Sequence, residues 1–428
     1  MQNKYKIIQI LCHSPNPIIF NYQNPEDFVR AGFCSFEYLK VSKFPFWVGF
    51  FRDDFHERNA KKIKLYSDKY EVEVWRPYLH IDQPFSKEVD GIIHRIFPLT
   101  EKYFPGYGTW NWSESMYKEI LMEAEKNKIL LHILDGHTRF ITRLILKLEN
   151  RNIPIVVTHE SGSFPQLNLG IKFWRLPINY YGYFRMKKAY RQADTYISIS
   201  KAEIRLMTES IKHDDILRLM DGTDFSFFKP GHDKIKIRIE LGLPLTKKII
   251  IYVGRFETAF GMDKILNWFN EFKTRNDQFE LLLIGSSNES EGHYQTAKDS
   301  KAILIGRIPQ ELLLRYYQAS DISLYPVLDT KLINSGGYGY SNVESSACGL
   351  PLVSNCLIHF PGSLEERDKL GYLMPSIEDM EKIILHIADN PDKYKECRGV
   401  AEKYFSEENW IKTLLNKYDE LFRKHYEK

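Results

Sequence analysis

The stretch GGYGYSNVESSACGLP, Gly336 to Pro351, decides how this chain is read. It opens on Gly336, Gly337 and Gly339, passes into a segment of helical composition holding a single glutamate, Glu344, and leads into the apolar run LPLVSN. A loop, helix and strand in that order belong to α/β folds, where helices cross over between parallel strands. Glycine admits positive φ and lets a ligand approach the main chain without a Cβ in the way. The helix after Gly339 would present unpaired N–H groups at Tyr340, Ser341 and Asn342, backed by the positive end of the helix dipole, a setting suited to an anion such as a diphosphate. Glu344, one turn in, could accept hydrogen bonds from vicinal hydroxyls of a sugar. An ordinary loop before a capped helix explains the same residues, and the segment alone leaves both readings open.

Working outward, short β-branched or apolar runs alternate with helix-period segments along the whole chain. Before the quoted stretch lie KKIIIYVG, FELLLIG, AILIGR and DISLYP, with MDKILNWFNEFKTRN and QELLLRYYQAS between strands. The first half repeats the pattern in YKIIQIL, YEVEVWRP, GIIHRIF, ILLHILD, IPIVVTHES and TYISIS. Between the halves, GTDFSFFKPGHD is rich in Gly, Pro and Asp and reads as a linker. We expect two Rossmann-like, doubly wound α/β domains facing each other across a cleft, residues 1–230 and 231–407, with a final helix at about 408–428 packing back on the first. Ligands of open α/β sheets bind beyond the carboxyl ends of the strands, so the loops after strands carry the search for chemistry.

The 428 residues are 43% hydrophobic, enough for two cores. Lys+Arg 59 against Asp+Glu 56 leaves a formal net charge of +3, without the basic footprint of a dedicated nucleic-acid binder. Cys12, Cys34, Cys348, Cys356 and Cys397 are scattered and form no C-x-x-C pair, so neither zinc nor redox chemistry is indicated. Neither a secretory h-region nor an apolar run long enough to span a membrane is visible. A reduced, cytoplasmic setting is expected, with the inner face of the membrane as an open extension.

The quoted segment resembles the donor-site signature of GT-B glycosyltransferases of the large retaining family that builds bacterial polysaccharides and glycolipids (family 4-like). Tyr338, Gly339, Glu344, Ala347, Gly349, Pro351 and Val353 stand in the matching places. IIIYVGRF, GRIPQELLLRYYQASDISLYP, MDGTDFSFFKP, VVTHESGS and QADTYISIS resemble further family segments in order and spacing. The resemblance implies a metal-independent, retaining glycosyltransferase that takes a sugar from a nucleotide-diphosphate donor, UDP- or GDP-linked, with no cofactor. It implies that Arg255 grips the diphosphate, for which a guanidinium is well shaped, that Gly337 through Asn342 line the donor, that Glu344 holds the ribose, and that His159 positions the reacting sugar.

Two positions depart from the family. Gly336 stands where a Glu is usual, and Phe260 where a Lys is usual; either another residue makes the sugar contact and Lys264 or Lys331 supplies the missing charge, or the donor is a deoxysugar or pentose without the hydroxyls that Glu holds. These departures keep open a binding protein without catalysis, and a nucleotide-sugar epimerase on the same fold, which would need extra carboxylates in the cleft, is a second alternative class. Asp135 and His137, at the end of the strand ILLHILD, are candidates to receive a proton from an acceptor hydroxyl, whereas His132 reads as a packed strand residue and Asp224 as a turn residue. The segment IKFWRLPINYYGYFRMKKAYRQ mixes aromatics with Arg175, Arg185, Lys187 and Lys188. It either lines a groove for a glycan or lipid acceptor, touches a membrane surface, or packs a long helix.

Overall fold

The computed structural model describes residues 5–11, 55–78, 82–100, 112–134, 139–159, 176–220, 222–285, 292–306, 308–328, 333, 337–374 and 376–427. Asp135, His137, Lys331, Arg175 and Gly336 lie outside them. The chain forms two compact units, one of Met1–Ile199, Glu203–Leu219 and Ile411–Lys428, the other of Ser200–Ala202 and Met220–Trp410.

In the first unit the elements run β1 (Tyr5–Leu11), α1 (Phe55–Tyr66), β2 (Tyr70–Tyr78), β3 (Phe85–Val89), β4 (Ile92–Pro98), α2 (Glu114–Lys126), β5 (Ile129–Leu134), α3 (Arg139–Lys147), β6 (Ile155–His159), α4 (Leu176–Gln192), β7 (Thr195–Ser198), α5 (Lys201–Leu206) and β8 (Ile216–Arg218). The sheet order is β3-β4-β2-β1-β5-β6-β7-β8. Seven strands are parallel, and β3 alone runs antiparallel, paired with β4. The sequence reading missed β3 and β8. Asp90 and Gly91, both at positive φ (50° and 78°), form the two-residue turn between β3 and β4, and an Asp-Gly pair between two strands is the usual sign of such a hairpin.

The second unit continues with α6 (Lys234–Leu241), β9 (Lys248–Gly254), α7 (Met262–Arg275), β10 (Phe279–Gly285), α8 (Gly292–Lys298), β11 (Ile303–Gly306), α9 (Gln310–Ala319), β12 (Ile322–Leu324), α10 (Tyr340–Ala347), β13 (Leu352–Ser354), α11 (Leu364–Leu370), β14 (Gly371–Leu373), α12 (Met380–Asp389) and α13 (Cys397–Phe405). The strands are all parallel in the order β11-β10-β9-β12-β13-β14, the doubly wound order that reverses between β9 and β12. Successive side chains of a strand face opposite ways, so Ile249 and Ile251 of β9 enter one core with Leu282 and Leu352, while Ile250 and Tyr252 enter another with Leu281, Leu283 and Phe269. The helix α14 (Glu407–Tyr426) then returns to the first unit, where buried Phe422 stacks on Tyr5 at 4.4 Å and Tyr70 at 5.7 Å between ring centroids.

Two aspartates in equivalent places fasten helices to the strand starts. Asp194, just before β7, accepts from Ile155 N at 3.0 Å and from Lys424 Nζ at 2.9 Å, and pairs with His425 Nε2 at 2.8 Å. Asp321, just before β12, accepts from Ile249 N at 2.7 Å, Arg238 Nη2 at 2.7 Å and Lys234 Nζ at 2.8 Å. Burial by itself would raise the Asp321 pKa, but Lys234, the Ile249 N–H and Arg238 outweigh it and hold the carboxyl below its ordinary value. Asp224, in the linker, accepts from Ser226 N at 2.8 Å and Phe227 N at 3.1 Å, a local turn. Arg398 of α13 fastens the linker by donating to Phe225 O and Phe228 O, each at 2.8 Å, and to Ala347 O at the end of α10.

Asp321→Ala would leave Arg238, 4% exposed, without its carboxylate. The expected cost is about 3 kcal/mol, because removing one partner of a buried pair strands the other. The folded-state pKa is depressed, so this stabilisation is complete above the unfolded value of 3.8 and is lost as pH falls through the folded one. Hydrogen exchange of β9 and β12, compared between wild type and variant at about pH 7 and about pH 2.5, should show a large difference at the first and a smaller one at the second.

Candidate functional site

Where β9 and β10 end, the two backbones close together: a Cβ built on Gly285, whose φ is +129°, would lie 1.9 Å from Gly254 O. Arg255 follows directly and is anchored through its carbonyl, which accepts from the Tyr252 hydroxyl at 2.7 Å. Its side chain is 66% exposed, with Nη1 3.4 Å from a Glu257 carboxylate oxygen and the guanidinium carbon 4.7 Å from the centroid of the Phe260 ring. Beneath lies an aromatic floor, in which Tyr325 stacks on Tyr252 at 6.3 Å and meets Phe260 at 6.2 Å. Burial, the largest influence, pushes the Tyr325 hydroxyl well above its ordinary pKa, so it stays neutral, and the Ser341 side chain hydrogen-bonds it.

Gly339, φ +83°, brings the start of α10 onto this floor; a Cβ there would come 3.0 Å from Tyr325 Cε1. Tyr340 and Ser341 head the helix. Two of the residues expected to line the donor do otherwise. The Asn342 N–H is taken by Gly339 O at 3.1 Å, and its fully buried side chain donates to Tyr338 O and Ser354 Oγ. The Tyr338 ring is 2% exposed and packs on Phe405 at 4.6 Å, a core residue whose backbone alone borders the loop. The chain enters α10 with these two side chains turned to the apolar interior, which claims them. Gly337 is partly buried.

Glu344 is partly exposed, and its carboxylate accepts from the buried Tyr317 hydroxyl on α9 at 3.2 Å. Such a bond fixes the carboxylate's orientation without neutralising it. Lys264 lies on the first turn of α7. The Glu378 carboxyl is held low first by its own backbone N–H, then by Ser376, with Lys264 adding its charge. In the first unit, His159 ends β6 and is 1% exposed, its Nδ1 paired with the carboxylate of Glu203 on α5. Ser198 Oγ donates to the same carboxylate at 2.6 Å. A buried acid at Nδ1 orients an imidazole as it does in catalytic triads. The sequence reading missed Glu203; the signal was its place on the helix that follows the strand ending at Ser198. His132 is packed inside, bonded to Thr158 Oγ1 at 2.7 Å and the Tyr418 hydroxyl at 2.6 Å. Among the described residues no group of three or more His, Cys, Asp or Glu side chains could hold a metal ion, and no helix is long and apolar enough to cross a membrane.

Two doubly wound α/β units, the second with glycine-led loops at its strand ends, have the GT-B class of fold. Sucrose-phosphate synthase from Thermosynechococcus elongatus shares it at a TM-score of 0.62 and 16% identity over 98% of this chain and 100% of that one. Anabaena HepE, solved in complex with UDP and glucose, shares it at 0.60 and 12% over 97% and 99%. Residues 233–404, which hold Arg255, Lys264 and Gly337 through Glu344, match the family described as glycosyl transferases group 1. Curated relatives include a D-inositol 3-phosphate glycosyltransferase of Acidothermus cellulolyticus, 24% identical over 48% of this chain and 45% of that protein. Another is the GDP-mannose-dependent monoacylated alpha-(1-6)-phosphatidylinositol monomannoside mannosyltransferase of Corynebacterium glutamicum, 21% identical over 54% and 62%. The chain thus matches about half the length of these relatives.

The positive φ of Gly339 predicts that Gly339→Ala costs about 1–3 kcal/mol. Gly399, in the first turn of α13 with open space where a methyl group would stand, is the control: Gly399→Ala should stabilise by up to about 1 kcal/mol. Thermal unfolding of the two variants should move in opposite directions.

Proposed function

We propose that this chain is a glycosyltransferase that binds a nucleotide-diphosphate sugar in its second unit and passes the sugar to a hydroxyl of a glycan or lipid acceptor. The observation that carries the reading is the exposed Arg255 guanidinium at the end of β9, next to the aromatic floor on which the glycine-led start of α10 rests, inside the stretch that matches the group 1 family. Positive charge there would meet the diphosphate as its own charge grows on departure, and a cation already in place favours that transition state. Arg255 and the first turn of α10 supply that charge without a metal in this reading. Glu344, oriented by Tyr317, would accept from the ribose hydroxyls, and His159, oriented by Glu203, would position the sugar. Asp135 or His137 would take the acceptor's proton, with retention of configuration.

HepE is described with UDP, and the Corynebacterium relative as GDP-mannose-dependent, which supports UDP or GDP as the nucleotide. The inositol phosphate and phosphatidylinositol named for the relatives support a polar or lipid-borne hydroxyl as acceptor. On α4, exposed Tyr181 and Phe184 lie beside Arg185, whose guanidinium sits over the Tyr181 ring at 5.5 Å, and Lys187 and Lys188 follow in sequence. Such a surface suits peripheral contact with an anionic membrane at the cytoplasmic face. Gly336 and Phe260 favour one second reading, a binding protein without catalysis.

Titration calorimetry against UDP, GDP and their sugars tests the reading. One nucleoside diphosphate should bind, and Arg255→Ala should weaken it about 10- to 100-fold, the range for a hydrogen bond to a charged group. Absence of binding by every nucleotide would end the donor-site assignment. Binding with neither nucleotide release nor product on an acceptor would favour the second reading, and conversion of the donor sugar without any acceptor would mean an epimerase.

A further inference from the structure

Phe260 stands where the resembled family places a lysine, and its loss of charge looks like a defect of the diphosphate site. The geometry points to a different role: we infer that Phe260 is a positioning residue whose ring face holds the Arg255 guanidinium ready for the diphosphate, one restrained cation replacing two. This rests on the donor-site reading of Arg255 given above.

The ring is built into the fold. Phe260 is 7% exposed and clusters with Val327 and Cys356, and its ring meets Tyr325 at 6.2 Å. Its N–H donates to Glu257 O at 3.0 Å, closing the turn Thr258–Phe260. Gly261 then leaves that turn at φ +72°, and a Cβ there would meet Leu328 Cδ1 at 2.6 Å, so the backbone that aims the ring is fixed on both sides.

The cation is the exposed partner. Arg255 is 66% exposed and its guanidinium carbon lies 4.7 Å from the ring centroid, within the range at which the ring quadrupole attracts a cation. Its other neighbour, Glu257, is 3.4 Å away and 45% exposed, a pair that water and salt weaken. Without the ring, an exposed arginine would sample many rotamers, and that freedom would be lost on gripping a diphosphate. A lysine at 260 would instead repel the guanidinium until ligand arrived. The aromatic face reverses that sign: it attracts Arg255 in the empty site, so part of the ordering precedes binding.

A double-mutant cycle on the full chain tests this, with UDP and GDP as titrants and UMP and GMP for comparison. Phe260→Leu should weaken the bound diphosphate about 3- to 10-fold while changing monophosphate binding little, and Phe260→Tyr should stay within about twofold of wild type. In the Arg255→Ala background Phe260→Leu should cost nothing more. Arginine-selective 13C labelling without nucleotide should show the Arg255 Hδ protons shifted upfield by the ring, and the shift lost in Phe260→Leu. Equal costs in both backgrounds, an unchanged Phe260→Leu affinity, or Hδ protons at ordinary positions would each overturn the inference while leaving the donor site standing. A wild type that binds neither diphosphate would sink the donor-site reading and the role of the ring with it.

Discussion

A strand buried on both faces can hold a charge only where a partner meets it, as Glu73 of β2 meets Lys6 and Arg95, and that constraint organises both units. The middles of β1, β5, β9 and β10 are shut off from water and mostly apolar. An unpaired charge there would meet a desolvation cost that nothing nearby could offset. Much of the polar chemistry is therefore placed at the strand ends, and the two ends are used differently. At the amino ends sit Asp194 and Asp321, each taking a neighbouring strand's N–H and two basic side chains from helices. At the carboxyl ends sit Arg255, Gly339 and His159.

The division has a physical basis. At the amino ends the carboxylates are met by three donors from within the chain, so their contribution is to stability. At the carboxyl ends the chain withholds side chains instead. Gly285 lets the Gly254 backbone approach where a Cβ would collide, and Gly254 and Gly339 let the Tyr252 and Tyr325 side chains come so close that a Cβ would be tight. Arg255 remains more than half exposed above that floor. A cation in that position, on a rigid support, is the arrangement an anion-binding site requires.

The two units also show how a resembled motif divides into structural and chemical parts. The aspartates of QADTYISIS and QASDISLYP lie in segments that carry the family resemblance, yet both serve the sheet. In the opening stretch, Tyr338 and Asn342 serve the core, while Gly339, Ser341 and Glu344 line or support the candidate site. Matching a motif therefore does not mean touching a ligand.

Period and punctuation were enough to read the α/β class, the linker at Gly222–Asp233 and most strands, because a strand buried on both faces must be written as a continuous apolar run. β8 and β14 are as short as β12 and β13, but those two are buried throughout and are written as apolar runs whereas β8 and β14 are only partly buried; β3, solvated on one face, shows no such run, and only the Asp-Gly turn after it marks the hairpin. Glu344 was legible from its place one turn past the glycine-rich loop, and Arg255 only through the resemblance carried by the Gly-Arg end of IIIYVGRF. Glu203 beside His159, Tyr317 beside Glu344 and Phe260 beneath Arg255 were not. Glu203 and Tyr317 lie 44 and 27 residues from their partners in sequence. Only the packing of separate helices against one sheet brings such groups within bonding distance. Phe260 is close in sequence to Arg255, but its face-on geometry follows from the turn at Gly261.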